Sequence, residues 1–341
     1  MKNANRALPT QAQVQSTEAE NARSDNPVAN DGIDRRNFLS CMAWAGTGLL
    51  WTMAGGVPAS KLFAATGGGA GGAVDQGNSG FSFVQISDSH IGFNKAANQD
   101  VTGTLKLAMD KINRLPGKPD LLLHTGDITH SSKPAEFDIA QQLIREAKAG
   151  ETFYVPGEHD IATDDGAAYR ERFGKGTQGT GWYSFNHKGV HFIGLNNCQQ
   201  VDAMGLIGAD QLRWLKADLA SLPASTPIVI FAHIPLWMVY PEWGWGTPDA
   251  VEALTYLKRF GSVTVLNGHI HQVVQKVEGN VAFHTATSTA FPQPASGTAP
   301  HAGPMVVPAA RLKSVLGITE VRYIARHSHL AIIDSPLEEM A

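Results

Sequence analysis

An α/β protein with a mixed β-sheet covered by helices is the fold the sequence predicts, and three observations lead there. Short apolar, β-branched runs alternate with stretches of helical period in the first half, whereas hairpin signals dominate the second. Five of the expected strands end in Asp, His or Glu, and ligand sites in such folds collect at the carboxyl ends of strands. At 341 residues there is material for one large domain or two, and no internal repeat breaks the pattern.

The first strand, residues 81–87, contains Phe83-Val84-Gln85-Ile86 and delivers Asp88 and His90. In an extended segment residues two apart point the same way, so carboxylate and imidazole would converge on one point. Such a point suits zinc, manganese or iron. Leu105, Ala108, Met109, Ile112 and Leu115 recur at helical spacing and predict a helix over 101–115, ended by Pro116-Gly117. A buried strand over 120–124 delivers Thr125-Gly126-Asp127, and a helix over 136–149 follows with Phe137, Ala140, Leu143, Ile144 and Ala147 on one face. A third strand, 152–156, delivers Gly157-Glu158-His159-Asp160. Residues 182–196 read as a hairpin turning at His187-Lys188-Gly189, and 209–222 as a helix through Leu212, Leu215, Leu219 and Leu222. A strand over 227–232 delivers His233, a helix over 248–260 opens on Pro248, and a strand over 262–266 delivers Gly268-His269-Ile270-His271. A hairpin around Glu278-Gly279-Asn280, a Pro-, Ala- and Gly-rich loop over 292–310 and alternating residues over 319–334 complete the sheet.

A net charge of -4 and a charged fraction of 17% argue against a nucleic-acid groove or a basic membrane surface. The first eighty residues differ from the rest. Residues 1–30 are polar and without period, which predicts disorder. Asp34-Arg35-Arg36-Asn37-Phe38-Leu39 then precedes an apolar run over 41–54, small residues over 59–65 and a Gly-rich linker over 67–80. That order describes an export signal, and the paired arginines before Phe-Leu resemble the twin-arginine type. The apolar run has about 14 residues where spanning needs roughly 20, so no permanent membrane span is expected. The expected layout is therefore a disordered region with a twin-arginine signal over 1–66, a linker over 67–80 and the functional domain over 81–341. The expected partners include the twin-arginine export machinery, and the expected location is periplasmic or extracellular. Cys41 falls in the signal, so the mature chain would keep Cys198 alone and form no internal disulfide.

In chain order the strand-end motifs read Asp88-x-His90, Gly126-Asp127, Gly157-Glu158-His159-Asp160, His233 and Gly268-His269-x-His271. Over residues 81–291 this set resembles the calcineurin-like metallophosphoesterase family. Residues 208–219, 231–236 and 268–272 look most like its class III cyclic-nucleotide phosphodiesterase branch. The resemblance implies a four-layer αββα sandwich of two mixed β-sheets flanked by helices. It also implies a small-molecule phosphoester substrate, either a phosphodiester (a cyclic nucleotide among them) or a phosphomonoester. Two divalent or mixed-valence transition metal ions, Mn, Fe or Zn, would be the cofactors. One would sit on Asp88, His90, Asp127 and His271, and the other on Asp127, Glu158, His233 and His269, with Asp127 bridging. Such a pair holds a hydroxide and clamps the phosphoryl oxygens. His159 would be the general acid, with Asp160 orienting its ring. Gly126, Gly157 and Gly268 would let the backbone turn beside crowded ligands.

One residue departs from the family pattern. The family usually has Asn where Glu158 stands; Glu can bind metal but adds charge and donates no amide hydrogen bond. A purple-acid-type phosphatase is an alternative, but that type adds a tyrosine ligand beside the bridging aspartate, and here His130 stands three residues after Asp127. A metal-binding scaffold without catalysis is another, which Glu158 favours and His159 with Asp160 opposes. Among the 13 histidines, His187 and His191 flank a turn and are expected to face solvent, while His124 reads as a hydrogen-bonded core residue. His130 is within possible reach of substrate, and His284, His301, His327 and His329 have no motif context. Trp237, Tyr240, Trp243 and Trp245 form a rim loop that either stacks a flat group over the site or packs down on the sheet.

Overall fold

The computed structural model describes residues 52–54, 57–59, 80–201, 203–323 and 330–338. The chain divides into two units, residues 1–73 and 74–341. In the first, β1 (Thr52–Ala54) pairs antiparallel with β2 (Val57–Ala59). Arg35 and Arg36 of the expected export signal lie outside the described residues.

The second unit contains β3 (Phe81–Ile86), β4 (Leu121–His124), β5 (Glu151–Tyr154), β6 (Tyr183–His187), β7 (Val190–Gly194) and β8 (Ile228–Phe231). It continues with β9 (Val263–Asn267), β10 (Gln275–Glu278), β11 (Val281–Thr285), β12 (Gly317–Tyr323) and β13 (Leu330–Pro336). These make two mixed sheets, ordered β13-β12-β3-β4-β5 and β10-β11-β9-β8-β7-β6. β3, β4 and β5 run parallel, as do β7, β8, β9 and β11. Period-two alternation decides the layers. Phe83 and Leu123 face Phe192, Phe231 and Leu266 across the space between the sheets. There Phe83 and Phe192 meet edge to face at 5.4 Å, an arrangement that contributes about 0.5–1.5 kcal/mol beyond the area it buries.

The opposite faces are covered by helices. Val84, Ile86 and Leu122 pack with Leu105, Met109 and Ile112 of α1 (Val101–Asn113) and Phe137 of α2 (Pro134–Ile144). After α3 (Ala167–Phe173), the second sheet packs Ile193, Ile230 and Val265 against α4 (Ala209–Ala220) and α5 (Ala250–Leu257) through Leu212, Leu215 and Leu257. The result is the four-layer sandwich expected above. Each fully buried Leu, Ile or Phe side chain in these layers stabilises by roughly 1.5–3 kcal/mol.

Several boundaries differ from the sequence reading. α2 begins two residues early because Pro134 takes the first helical position, and it ends at Ile144, after which Ala147 N bonds Ile144 O in a tightening turn. α5 begins after Pro248, with the Asp249 carboxylate accepting from Ile207 N (3.0 Å) and Gly208 N (2.8 Å) ahead of α4. α3 and α6 (Ala309–Val315) were not expected. Each has seven residues, too few for a helical period to stand out. The hairpin at Lys188-Gly189 is as expected, with both residues at positive φ (46° and 84°) as a tight strand-twisting turn requires.

Candidate metal centre

Five strands release the candidate residues at one rim: β3 leads to Asp88 and His90, β4 to Asp127, β5 to a 3₁₀ turn over Glu158–Asp160, β8 to His233, and β9 to His269 and His271. The loops after β3 and β4 are zipped together. Asp88 N donates to Gly126 O (3.0 Å), His90 N to Asp127 O (2.9 Å), Ile91 N to Ile128 O (3.0 Å), and His130 N to Ile91 O (2.9 Å).

The backbone there is left-handed, which corrects the extended geometry expected for Asp88 and His90. Positive φ occurs at Asp88 (55°), His90 (42°), Asp127 (52°), His269 (70°) and His271 (54°). Only Ser132, Asp165 and Lys188 share that region among the other described non-glycine residues. A left-handed L-residue costs roughly 1–2 kcal/mol, somewhat less for Asp, which visits the region more readily. Five such residues in one rim concentrate strain where function does. Gly157 is required by space: a Cβ would collide with the Asp127 Oδ1 and main-chain N. Gly126 is required by its φ of +94°.

The side chains converge from both sheets. Asp127 Oδ2 lies 3.4 Å from His90 Nε2 and 3.4 Å from His233 Nε2. On one side, His90 Nε2 is 3.2 Å from His271 Nε2, which is 3.3 Å from Asp88 Oδ1. On the other, Glu158 Oε2 is 2.8 Å from His233 Nε2, and its Oε1 is 3.0 Å from His269 Nδ1. Donor atoms in each of Asp88/His90/His271, Glu158/His233/His269 and Asp88/Asp127/His233 lie within 4.8 Å of one another. Ligands around an ion with bonds of ~2.1 Å sit roughly 3.0–3.4 Å apart, so the first two groups could each hold one ion, and the third, which shares Asp88 and His233 with them, sets Asp127 between the two.

Tautomers support the fit. His233 Nδ1 lies 2.7 Å from Thr125 O and His271 Nδ1 2.6 Å from Phe291 O. A carbonyl accepts only, so each Nδ1 carries the proton and each Nε2 presents a lone pair to the centre. His233 Nε2, both nitrogens of His269 and Glu158 Oε2 are buried without a hydrogen-bond partner. An unpaired buried polar atom costs about 1–3 kcal/mol, and a cation would take the lone pairs of His233 Nε2, of Glu158 Oε2 and of whichever His269 nitrogen carries no proton. Burial opposes the charge on Asp88 and Glu158, but facing imidazoles, His271 for Asp88 and His269 for Glu158, hold both carboxyls below their ordinary range. Three carboxylates and four imidazoles make a mixed oxygen and nitrogen set of the kind that manganese, iron and zinc accept.

His159 stands beside this centre. Its N–H donates to Asp127 Oδ1 (2.9 Å), and its ring Nδ1 lies 2.9 Å from His130 O. Burial disfavours charging the ring, but Asp127 and Glu158 outweigh it and raise its pKa. Asp160 does not orient that ring, contrary to expectation. Its oxygens accept from Ile128 N (3.0 Å), Thr129 N (2.8 Å), Thr129 Oγ1 (2.9 Å) and Gly157 N (2.9 Å). It braces the loop carrying Asp127 instead, and burial with the neighbouring Asp127 pushes its carboxyl up to about 7.

Other expectations divide. His124 is a core residue bonded to Ser89 Oγ at 2.7 Å, as expected. His191 is buried between Asp218 Oδ2 (2.8 Å) and Asn186 Oδ1 (2.8 Å) and does not face solvent. His187 is half-buried beside Asp120. In the aromatic loop, Trp237 and Trp245 pack into the core while Tyr240 and Trp243 remain partly exposed. Sequence reasoning missed the wall built after β11. There Ser288 Oγ donates to Asp88 O (2.8 Å), and Gln293 Nε2 donates to His269 O (2.9 Å). Like the Phe291 carbonyl, these contacts engage main chain and leave no motif.

Two mixed sheets with buried carboxylates and imidazoles at their common rim define a metallophosphoesterase. The chain belongs to the calcineurin-like phosphoesterase family, whose model matches residues 81–273, and is a hydrolase of phosphoric ester bonds. A 3′,5′-cyclic-nucleotide phosphodiesterase of Nostoc sp. is 28% identical over 222 residues, 62% of this chain and 79% of that protein. A serine/threonine-protein phosphatase of Mus musculus is 28% identical over 218 residues, 56% of this chain and 70% of that one. Among solved structures, a dimetal phosphatase from Danio rerio superposes with a TM-score of 0.53 at 13% identity, covering 77% of this chain and 98% of that chain. A purple acid phosphatase from yellow lupin (Lupinus luteus) seeds gives 0.55 at 13% identity over 76% of this chain, which spans about half of the lupin chain at 52%.

Proposed function

We propose that the chain is a binuclear metal-dependent phosphoesterase acting on a phosphodiester. The observation that carries the reading is the position of Asp127 Oδ2, 3.4 Å from a ring nitrogen of each inward-facing group. Asp88, His90, Asp127 and His271 would hold one ion, and Asp127, Glu158, His233 and His269 the other. A bound pair acidifies a water and offsets charge on the phosphoryl oxygens. Glu158 turns both oxygens inward to His233 and His269, so it takes a ligand's place despite its departure from the family's Asn. His159 holds a proton at the ring edge facing away from His130 O and delivers it to the leaving alkoxide. Asp160 keeps the Asp127 loop in register.

A diester is favoured over a monoester because the Nostoc relative bears the name of a cyclic-nucleotide phosphodiesterase. The test uses metal-stripped and manganese-reloaded protein with bis(4-nitrophenyl) phosphate and 4-nitrophenyl phosphate. Turnover should return with manganese and be faster on the diester; no turnover of either by reloaded protein would refute the reading.

Export by the twin-arginine route to the periplasm or beyond rests on Arg35-Arg36 before Phe38-Leu39. Replacing both arginines with lysine should leave precursor in the cytosol, and unchanged export would point to another route. No helix among the described residues is long and apolar enough to cross a membrane.

A further inference from the structure

His90 differs from the other imidazoles of the rim in what stands behind it. His233 and His271 turn Nδ1 to main-chain carbonyls, at 2.7 and 2.6 Å. Among the described residues, the hydrogen-bond partner at His90 Nδ1 is another imidazole nitrogen, His130 Nδ1, at 3.4 Å. His90 Nε2 faces Asp127 Oδ2 and His271 Nε2, so its lone pair belongs to the centre and its proton to Nδ1. That proton needs an acceptor, and the His130 Nδ1 lone pair is the one within reach.

The main chain places His130 there. His130 N donates to Ile91 O one residue after His90, within the ladder that zips the two ligand loops. Phe93 meets the His130 ring edge-on at 5.2 Å and 88°. The His159 ring stacks on that of His130 at 4.8 Å and 21°, and the His130 carbonyl lies 2.9 Å from His159 Nδ1.

We propose that His130 is a positioning residue that serves two members of the centre at once. Its Nδ1 accepts the Nδ1 proton of His90 and so fixes the tautomer and direction with which His90 meets an ion. Its carbonyl and ring face hold His159, the proton donor to the leaving group. The binding of an ion on the His90 side and the aim of the proton donor are thereby tied to one residue. The proposal rests on the binuclear reading above.

The test is calorimetric titration of the metal-free full chain with manganese. His90→Ala identifies which of two binding steps belongs to its side. His130→Phe keeps a stacking ring and removes the acceptor, whereas His130→Asn offers Oδ1 in its place. In His130→Phe that step should weaken by about 10–100-fold, the usual cost of losing an outer partner of a metal-binding histidine. The other step should stay unchanged, and His130→Asn should recover most of the loss. A purely structural role would weaken both steps together and lower thermal stability without rescue by Asn. Should His130→Phe not fold, His130→Ala against His130→Asn makes the same comparison. A wild-type-like isotherm for His130→Phe, or equal losses in the Phe and Asn variants, overturns the proposal alone. A wild-type chain that binds no manganese overturns the binuclear reading with it.

Discussion

Asp127→Asn is expected to abolish turnover and to lower bound metal below two ions per chain. Oδ2 of Asp127 faces His90 and His233 at 3.4 Å each, so a single oxygen serves both groups. Asn has the same shape, but the amide nitrogen that can occupy that place has no lone pair to give and directs protons at the site. Its Oδ1 can still accept from His159 N, as the Asp127 Oδ1 does at 2.9 Å, so the loop should keep its path. Loss of an outer-shell partner costs about 10–100-fold, and loss of a shared ligand should exceed that. Metal analysis of the purified variant, with thermal unfolding as the folding control, measures it. Two ions per chain with near-normal turnover would remove Asp127 from the bridge.

His159→Ala should behave differently, keeping both ions while turnover falls by roughly 10²–10⁴-fold on substrates with poor leaving groups. The residue meets the centre through its main-chain N–H to Asp127 and through ring contacts with His90 and His130, and the main-chain bond survives the substitution. Activated aryl esters, whose leaving groups need little protonation, should lose much less. The measurement is turnover of an alkyl and an aryl phosphodiester side by side. Equal losses on both would make His159 a structural residue.

Much of this site was legible because chemistry-bearing residues followed apolar runs at strand ends. Short, mostly apolar runs in Phe81–Ile86 and Leu121–His124 predict buried strands, and the carboxyl rim follows from their parallel pairing. What the pattern hid was conformation. Asp88, His90, Asp127, His269 and His271 adopt left-handed backbone without being glycine, so no residue type announced the turn. The position of Asp160 was misread for a related reason. Adjacency to His159 suggested contact, yet the 3₁₀ turn sends the two side chains apart, the Asp160 carboxylate to the loop amides and the His159 ring to the His130 carbonyl and the His90 ring. His130 read as a loop histidine within reach of substrate and not as a neighbour of His90, because that contact depends on the parallel bridge between Ile91 and Thr129. The carbonyls of Thr125 and Phe291 that fix the tautomers of His233 and His271 are main-chain groups, and any residue could supply them.

The most direct measurement is anomalous scattering from crystals of the wild-type chain loaded with manganese. Two peaks about 3.5–4 Å apart are expected. One should lie within bonding distance of Asp88, His90 and His271, the other within that of Glu158, His233 and His269, with Asp127 contacting both. A single peak, or two with Asp127 bound to one alone, would contradict the account.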